Sequence, residues 1–295
     1  MFYGAYTAII TPFRDGKVDE KKLEELVAFQ VRAGVQGIVA CATTGEFVYL
    51  SPLERQRVVE ICVSVGKDKV QVLAGTGALS SEEVISLTQS VQKMGVDAAF
   101  IINPWYVKPS QESLYHYFKT INENVDIPIM AYNNPARTGV EISIETVLKL
   151  ASLKNIRGMK DASASLQRVG ELKRYLGDQF ALLAGDDDTL AAYLAMGGDG
   201  GVLVASNVAP FLFVTLLDSW KNDDLDTFKT IWKKVYPLAS ALSLERIKYA
   251  MALVHGVSIE SRLPFAPLSV AAQEAVEVAL EGLGLWTSLT SVRER

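Results

Sequence analysis

Histidine and cysteine are scarce in this chain of 295 residues, which contains two of each. A catalytic zinc site normally uses several histidine ligands, and a Ser-His-Asp hydrolase needs one well-placed histidine. His116 lies in a predicted helix, and His255 precedes Gly256 at a predicted helix end, so structural roles are the simpler interpretation for both. The scarcity therefore argues against a zinc enzyme and against such a hydrolase, and we expect no bound metal.

The two cysteines, Cys41 and Cys62, are too few for a disulfide framework, and neither stands in the spacing of a metal site. Cys62 falls in an apolar run and is predicted to be buried. The first residues lack the basic and apolar regions of a signal peptide, and no apolar run approaches the roughly 20 residues that span a bilayer. These absences predict a reducing compartment, the cytoplasm, and no membrane partner.

Positive charge is also limited, because the formal net charge is −5 and the sequence pI is about 5.3. No stripe of lysine and arginine is visible, which argues against nucleic acid as a partner. Hydrophobic residues make up 49% of the chain, which is enough for one large core.

Short apolar runs rich in Val, Ile and Ala alternate with segments of helical period. Continuous apolar runs of this kind are typical of parallel strands that are covered on both faces. About eight such units in roughly 220 residues match the size of a (β/α)8 TIM barrel, an α/β fold, and a doubly wound open sheet is the alternative architecture. The predicted strands are 6–10, 37–41, 70–74, 98–102, 128–132, 156–160, 180–184 and 201–204.

Capping residues mark several helix ends. Asp19 precedes an acidic first turn as an N-cap does, Gly34 fits the C-terminal position where positive φ is favourable, and Ser80 resembles the start of a capping box.

The strand pattern stops after residue 204, and the rest of the chain is predicted to be helical. We predict a catalytic barrel over 1–224 and, over 225–295, a C-terminal helical domain that packs on the barrel. The helices predicted there are 225–242, 244–255 and 267–283.

Polar side chains follow the ends of several predicted strands. The fifth strand ends at Tyr132 with Arg137 just beyond it, and the sixth ends at Lys160. Thr43 and Thr44 follow the second strand. Because active sites of such barrels lie at the carboxyl ends of the strands, we expect these five side chains to converge at one rim.

An amine, a phenol and a guanidinium at one rim indicate Schiff-base chemistry on a keto acid. Lys160 must be neutral to attack a carbonyl, and burial lowers the pKa of a lysine. The imine formed with pyruvate draws electrons, so loss of a methyl proton gives an enamine that attacks an aldehyde. Tyr132 is predicted to transfer protons, Thr43 to relay them, and Thr44 to hold the carboxylate. A lysine that extends from a strand end into solvent is the alternative interpretation.

Several motifs, in this order and spacing, resemble the dihydrodipicolinate synthase / N-acetylneuraminate lyase family of pyruvate-dependent class I aldolases. The resemblance covers nearly the whole chain. It implies a barrel with a C-terminal helical domain, Lys160 as the Schiff-base residue, Tyr132 and Thr43 as the proton path and Thr44 as a carboxylate contact. The motifs are Thr11-Pro12-Phe13, Thr43-Thr44-Gly45-Glu46, Ala74-Gly75-Thr76-Gly77, Tyr132-Asn133-Asn134-Pro135 and Gly158-Met159-Lys160-Asp161.

The resemblance also implies an oligomer and a second substrate. Tyr106 matches a tyrosine that enters the neighbouring subunit's site, which implies a homodimer or homotetramer. Arg137 matches an arginine that binds the carboxylate of aspartate 4-semialdehyde, so it favours a lyase that condenses pyruvate with this aldehyde for lysine and diaminopimelate biosynthesis. Gly185 and Val202, at the seventh and eighth strands, complete the predicted substrate-binding residues. No metal or organic cofactor is required by this chemistry.

Departures from the family pattern concern regulation and substrate. Phe47, Pro52, Arg55 and Leu79 stand where lysine-inhibited relatives have polar residues, so feedback by lysine is not expected. The alternatives are an aldolase or dehydratase of the same family that acts on a 2-keto-3-deoxy sugar acid, N-acetylneuraminate or a hydroxyproline-derived keto acid, and a barrel that binds a keto acid without turnover. The late strands offer few polar side chains for a sugar.

Overall fold

A closed barrel of eight parallel strands forms the centre of the structure, which is a computed structural model that describes residues 2–286. Each strand pairs with the next along the chain, and the last pairs with the first. This closure confirms the predicted (β/α)8 barrel and rules out the open sheet. The strands are β1 Gly4–Ala8, β2 Gly37–Ala40, β3 Gln71–Gly75, β4 Ala98–Ile102, β5 Ile129–Asn133, β6 Ile156–Asp161, β7 Ala181–Ala184 and β8 Gly200–Leu203.

The strand positions agree with the predictions to within two residues, and the largest difference is in the first strand. The prediction of 6–10 is wrong at both ends, because β1 ends at Ala8 and the amide of Ile10 turns to the side chain of Asn207 at 3.1 Å. β5 and β6 each extend one residue further than predicted, to Asn133 and Asp161, whose side chains hydrogen-bond across the strand pair.

A small hairpin between β1 and the first helix was not predicted. It pairs Phe13–Arg14 with Lys17–Val18 in antiparallel fashion. Its turn is Asp15-Gly16, with φ values of 52° and 75°. An Asp-Gly pair is a strong signal for such a turn, but each strand has only two residues, which is too short for an alternating pattern to show in the sequence.

The helices that follow the strands cover the outside of the barrel. Asp19 caps the first by accepting a hydrogen bond from the amide of Lys22, Gly34 ends it with φ of 79°, and Ser80 caps the third through the amide of Glu83, as predicted. The barrel helices are α1 Glu20–Ala33, α2 Pro52–Gly66, α3 Ser81–Met94, α4 Gln111–Asn124, α5 Ile144–Ala151, α6 Leu166–Leu176, α7 Leu190–Ala195 and α8 Pro210–Lys221, with a one-turn helix Pro135–Thr138 between β5 and α5.

Three further helices pack on the barrel: α9 Leu225–Ala241, α10 Ile247–His255 and α11 Val270–Gly282. The last two begin three residues later than predicted. The chain makes a turn at Ser243 before α10, and Ser269 caps α11 by accepting from the amide of Ala272. The domain division at residue 224 stays a prediction, and residues 287–295 lie outside the described part of the chain.

The strands are buried on both faces, as their apolar runs predicted. Cys62 is buried in α2, as predicted, and His255 stands at the end of α10 before Gly256, which has φ of 62°. Between residues 2 and 286, no helix is both long enough and apolar enough to cross a membrane. Because all eight strands run the same way, the loops after their carboxyl ends gather at one rim.

Candidate active site

A cavity of about 270 Å³ opens at the carboxyl rim of the barrel. The barrel loops form its floor and walls, and the end of α9 with the residues after it covers it. Six of the eight sequence-predicted site residues line it, namely Thr43, Thr44, Tyr132, Arg137, Lys160 and Gly185.

Lys160 lies near the end of β6 and is 5% exposed, so its amine does not extend into bulk solvent. Its Nζ stands over the ring of Tyr132, 4.7 Å from the ring centroid. The two residues are register partners on neighbouring strands. Strand pairing therefore brings the amine and the phenol ring together, as the sequence predicted.

The phenol of Tyr132 is held from two sides. Its ring stacks on Phe100 with the centroids 5.0 Å apart, and its hydroxyl accepts a hydrogen bond from Nδ2 of Asn134 at 2.6 Å. Because the oxygen accepts from Asn134, its own proton is free for a group in the cavity. Sequence reasoning missed Asn134. The signal was present, since an Asn directly before Pro135 is a typical N-cap, and this side chain also accepts from the amide of Arg137.

Thr43 and Thr44 occupy the tight 3₁₀ turn that follows β2. The side-chain oxygen of Thr43 is buried and, within the described residues, has no hydrogen-bond partner. A buried hydroxyl without a partner costs free energy, and such groups are often found where a substrate or water completes the site. The last residue of the motif, Glu46, has φ of 57° and ends the turn.

Acidic residues of the loop after β7 also line the cavity. Asp187 accepts hydrogen bonds from the amides of Val204 and Ala205, yet burial raises the pKa of its carboxyl to about 6. Burial also raises the pKa of Asp186, and the nearby Lys160 amine opposes that rise. The sequence analysis selected only Gly185 from this loop. A Cβ at that position would stand 2.8 Å from the carbonyl oxygen of Asp161, so the close approach requires glycine.

Two predicted site residues lie away from the cavity wall. Tyr106 is 87% exposed on the loop after β4, with φ of 71°. Val202 is fully buried within β8, and Val204 lines the cavity instead.

The end of α9 and the segment after it cover the cavity, and the sequence did not predict this cover. Its residues are Ala239, Ser240, Leu242, Ser243 and Leu244.

Two of the positions considered for lysine regulation, Phe47 and Arg55, pack against each other. The guanidinium of Arg55 lies 5.3 Å from the ring centroid of Phe47, and its Nε donates to the carbonyl of Phe47 at 3.0 Å. Trp105 meets the same ring edge-on at 5.8 Å. Pro52 begins α2, and Leu79 is 47% exposed. The absence of lysine feedback stays a prediction.

The side chains of the described residues were also compared with the requirements of a metal site. The described residues, 2–286, contain no group of three His, Cys, Asp or Glu side chains placed to hold a metal ion. The cavity nevertheless contains an amine, a phenol, a guanidinium and hydroxyls within one enclosed space.

The fold and the rim residues define a (β/α)8-barrel protein with a buried lysine at the end of its sixth strand, beside a tyrosine on its fifth. The dihydrodipicolinate synthetase family model matches residues 1–283. The 4-hydroxy-tetrahydrodipicolinate synthase of Rhodospirillum centenum is 41% identical over 291 residues, which cover 97% of this chain and 100% of that protein. The synthase of Parvibaculum lavamentivorans is 42% identical over 289 residues, covering 97% and 99%.

Solved structures agree with these relatives. The 4-hydroxy-tetrahydrodipicolinate synthase of Methylacidiphilum fumariolicum superposes with a TM-score of 0.93 at 35% identity, covering 97% of this chain and 100% of that one. The chloride-inhibited dihydrodipicolinate synthase of Acinetobacter baumannii, complexed with pyruvate, has a TM-score of 0.93 at 36% identity with the same coverage. The chain belongs to the dihydrodipicolinate synthetase family.

Proposed function

We propose that this protein is a lyase that condenses pyruvate with L-aspartate 4-semialdehyde to form 4-hydroxy-tetrahydrodipicolinate, the precursor of lysine and diaminopimelate. The observation that carries the proposal is the buried amine of Lys160 beside the ring of Tyr132, with Arg137 lining the same cavity. The names of relatives that are about 40% identical over nearly the full chain support the same reaction.

The reaction begins when the neutral amine of Lys160 attacks the keto carbon of pyruvate and water leaves. The resulting iminium accepts the electron pair released when a methyl proton is lost, which gives an enamine. The enamine carbon attacks the aldehyde, and the new alkoxide takes a proton. The substrate's own amino group then attacks the imine carbon, closes the ring and releases the lysine. Because the iminium is the electron sink, we propose that no metal or organic cofactor takes part.

Tyr132 is the group assigned to the proton transfers. Its hydroxyl accepts from Asn134 and so keeps its own proton available, and the proposed relay to Thr43 is supported by the Thr43 hydroxyl, which has no hydrogen-bond partner among the described residues. Thr44 and the amides of its turn hold the carboxylate of pyruvate, and Gly185 lets the loop after β7 pack closely against Asp161 and Ala162, which follow Lys160.

Arg137 decides between the synthase and the other reactions of the family. A guanidinium binds a carboxylate through two parallel hydrogen bonds, which suits the acid end of aspartate semialdehyde. A 2-keto-3-deoxy sugar acid, N-acetylneuraminate or a hydroxyproline-derived keto acid is the alternative substrate. The relatives are named as synthases, which favours the condensation of pyruvate with aspartate semialdehyde.

We also propose that the protein acts as a homodimer or homotetramer in the cytoplasm. The support is Tyr106, which is 87% exposed and lies outside its own chain's cavity, as a residue that serves a neighbouring subunit must. The exposed Val107 beside it adds apolar surface. One relative of known structure is a monomeric variant, and a monomer in solution here would contradict the proposed assembly.

The test compares aldehydes and two variants. The wild type should form the cyclic product from pyruvate and aspartate 4-semialdehyde, detected by mass spectrometry, and should not cleave the sugar acids. Arg137→Ala should raise the KM for the semialdehyde about 10- to 100-fold with little change for pyruvate, since a hydrogen bond to a charged group contributes about 1.5–3 kcal/mol.

Arg137→Lys is the matched variant, because it keeps the charge and loses the planar fork. It should lie between the wild type and Arg137→Ala. Equal effects of Arg137→Ala on both substrates would contradict the assigned role. Turnover of a sugar acid without turnover of the semialdehyde would contradict the proposed reaction.

A further inference from the structure

Four residues behind the cavity form a closed ring of hydrogen bonds. Nδ2 of Asn133 donates to Oδ1 of Asp161 at 2.7 Å, and Nε of Arg168 donates to Oδ2 of the same carboxylate at 3.1 Å. The backbone of Ile142 closes the ring: its amide donates to Oδ1 of Asn133 at 3.0 Å, and its carbonyl accepts from Arg168. The ring thus joins β5, β6, α6 and the segment between the one-turn helix and α5.

The ring and the candidate reactive residues occupy adjacent positions on the same two strands. Asn133 directly follows Tyr132, and Asp161 directly follows Lys160. Both pairs are in register, Tyr132 with Lys160 and Asn133 with Asp161. Because successive side chains of a strand point to opposite faces, the first pair faces the cavity and the second faces the helices outside.

Two members of the ring are buried charged residues, which packing alone does not explain. The side chains of Arg168 and Asp161 are 5% and 1% exposed. Apolar side chains of similar size would often stabilise such a site as well or better, and buried ion pairs are best attested where they fix one geometry. A second carboxylate, that of Glu141, lies 3.7 Å from the Arg168 guanidinium.

We propose that Asp161 and Arg168 are positioning residues for the Schiff-base reaction, which fix the ends of β5 and β6 so that the Lys160 amine stays over the Tyr132 ring. This inference rests on the proposed function. The ring acts through the strand ends and does not touch the substrate. A displacement of about 1 Å in a reacting group lowers a rate about 100-fold, so small shifts of these strand ends are enough to matter.

The same helix supplies a matched control at the opposite end of the barrel. Lys173 of α6 pairs with Asp199 at 2.9 Å, and this carboxylate also accepts from the amide of Leu182 at 2.7 Å. The pair lies at the amino end of the strands, away from the cavity, and is less buried, with side chains 12% and 18% exposed. Asp199→Asn therefore removes an ion pair between α6 and the strands without disturbing the rim.

The experiment compares Asp161→Asn, Arg168→Lys and Asp199→Asn with the wild type. Each full-length protein is incubated with pyruvate and borohydride, and the rate of adduct formation on Lys160 is followed by peptide mass mapping. Steady-state kcat and KM and the thermal midpoint are measured on the same samples. Asp161→Asn should lower the trapping rate and kcat about 10- to 100-fold with the KM for pyruvate nearly unchanged. Asp199→Asn should lower the midpoint only.

Arg168→Lys keeps a cation near Asp161 and loses the contact with the carbonyl of Ile142. It should therefore lower the trapping rate less than Asp161→Asn does. If Asp161→Asn does not fold, Arg168→Lys replaces it in the test. The trapping rate of Arg168→Lys is then compared with that of Asp199→Asn. The inference would be overturned if Asp161→Asn and Arg168→Lys lowered the trapping rate no more than Asp199→Asn does, or did not lower it at all. A wild type that forms no adduct would instead refute the proposed function, which separates the two failures.

Discussion

Lys248→Met should destabilise the protein strongly, because it leaves Glu46 buried without its cation. The side chains of the two residues are 6% and 1% exposed, and Nζ lies 2.5 Å from Oε1. Glu46 ends the turn that carries Thr43 and Thr44, while Lys248 belongs to α10. This pair therefore joins the turn that carries Thr43 and Thr44 to the C-terminal helices.

The magnitude follows from what the variant leaves behind. Glu46 retains two donors, the amide of Arg262 at 2.8 Å and the hydroxyl of Ser261 at 3.1 Å, and loses its only cation within salt-bridge distance in the described structure. Removal of one partner from a buried ion pair costs about 3–5 kcal/mol. At about 2 °C per kcal/mol for a chain of this size, the thermal midpoint should fall by roughly 6–10 °C.

Urea unfolding and calorimetry measure this loss, with two controls. Arg57→Met removes ion pairs with Glu20 and Glu60 in which all the side chains are well exposed to solvent, so its stability should stay close to that of the wild type. The double variant Glu46→Gln with Lys248→Met removes both charges and should recover about 2 kcal/mol of the single variant's loss. A Lys248→Met protein within about 1 kcal/mol of the wild type would refute the reasoning, as would a double variant no more stable than the single one.

Three further outcomes are expected. Tyr132→Phe keeps the ring that stacks on Phe100 and should lower kcat by about 10²–10⁴ while pyruvate is still trapped; steady-state kinetics near wild type would contradict its proton-transfer role. Thr43→Val removes a hydroxyl that has no hydrogen-bond partner between residues 2 and 286, so urea unfolding should show no loss of stability while kcat falls at least about 10-fold; a stability loss without a kinetic effect would contradict the relay. Burial raises the pKa of Asp187 from its ordinary value of 3.8 to about 6, so the stability that this carboxyl contributes at low pH is lost as pH rises from about 4 to above 6. The stability of Asp187→Asn relative to wild type should therefore increase over that range in urea titrations, and a pH-independent difference would contradict this sign.

The barrel could be predicted from the sequence because its signals are local. Each strand is a short, continuous apolar run, and the capping residues Asp19, Gly34 and Ser80 mark helix ends within a few positions. Since parallel strands end at one rim, the order of these runs alone brings Tyr132 and Lys160 together. The roles predicted for individual residues came from the resemblance to a family, because hydrophobic periodicity and residue spacing do not indicate them.

The remainder of the site depends on contacts between distant parts of the chain. Ser240 and Ser243 cover the cavity only because α9 packs across the rim, which no local pattern encodes. The Asn133–Asp161 bond forms between strands 28 positions apart in sequence. The pair of Glu46 with Lys248 spans most of the chain, and a charged residue in sequence gives no sign that it is buried.

Borohydride trapping with pyruvate, followed by peptide mass mapping, tests the central claim most directly. The amine of Lys160 is enclosed beside Tyr132, and the account predicts a reduced pyruvyl adduct on this lysine and on no other. Lys160→Ala, folded as judged by its thermal midpoint, should form no adduct and show no turnover. A folded wild type that remains unmodified, or an adduct on a different lysine, would contradict the Schiff-base mechanism.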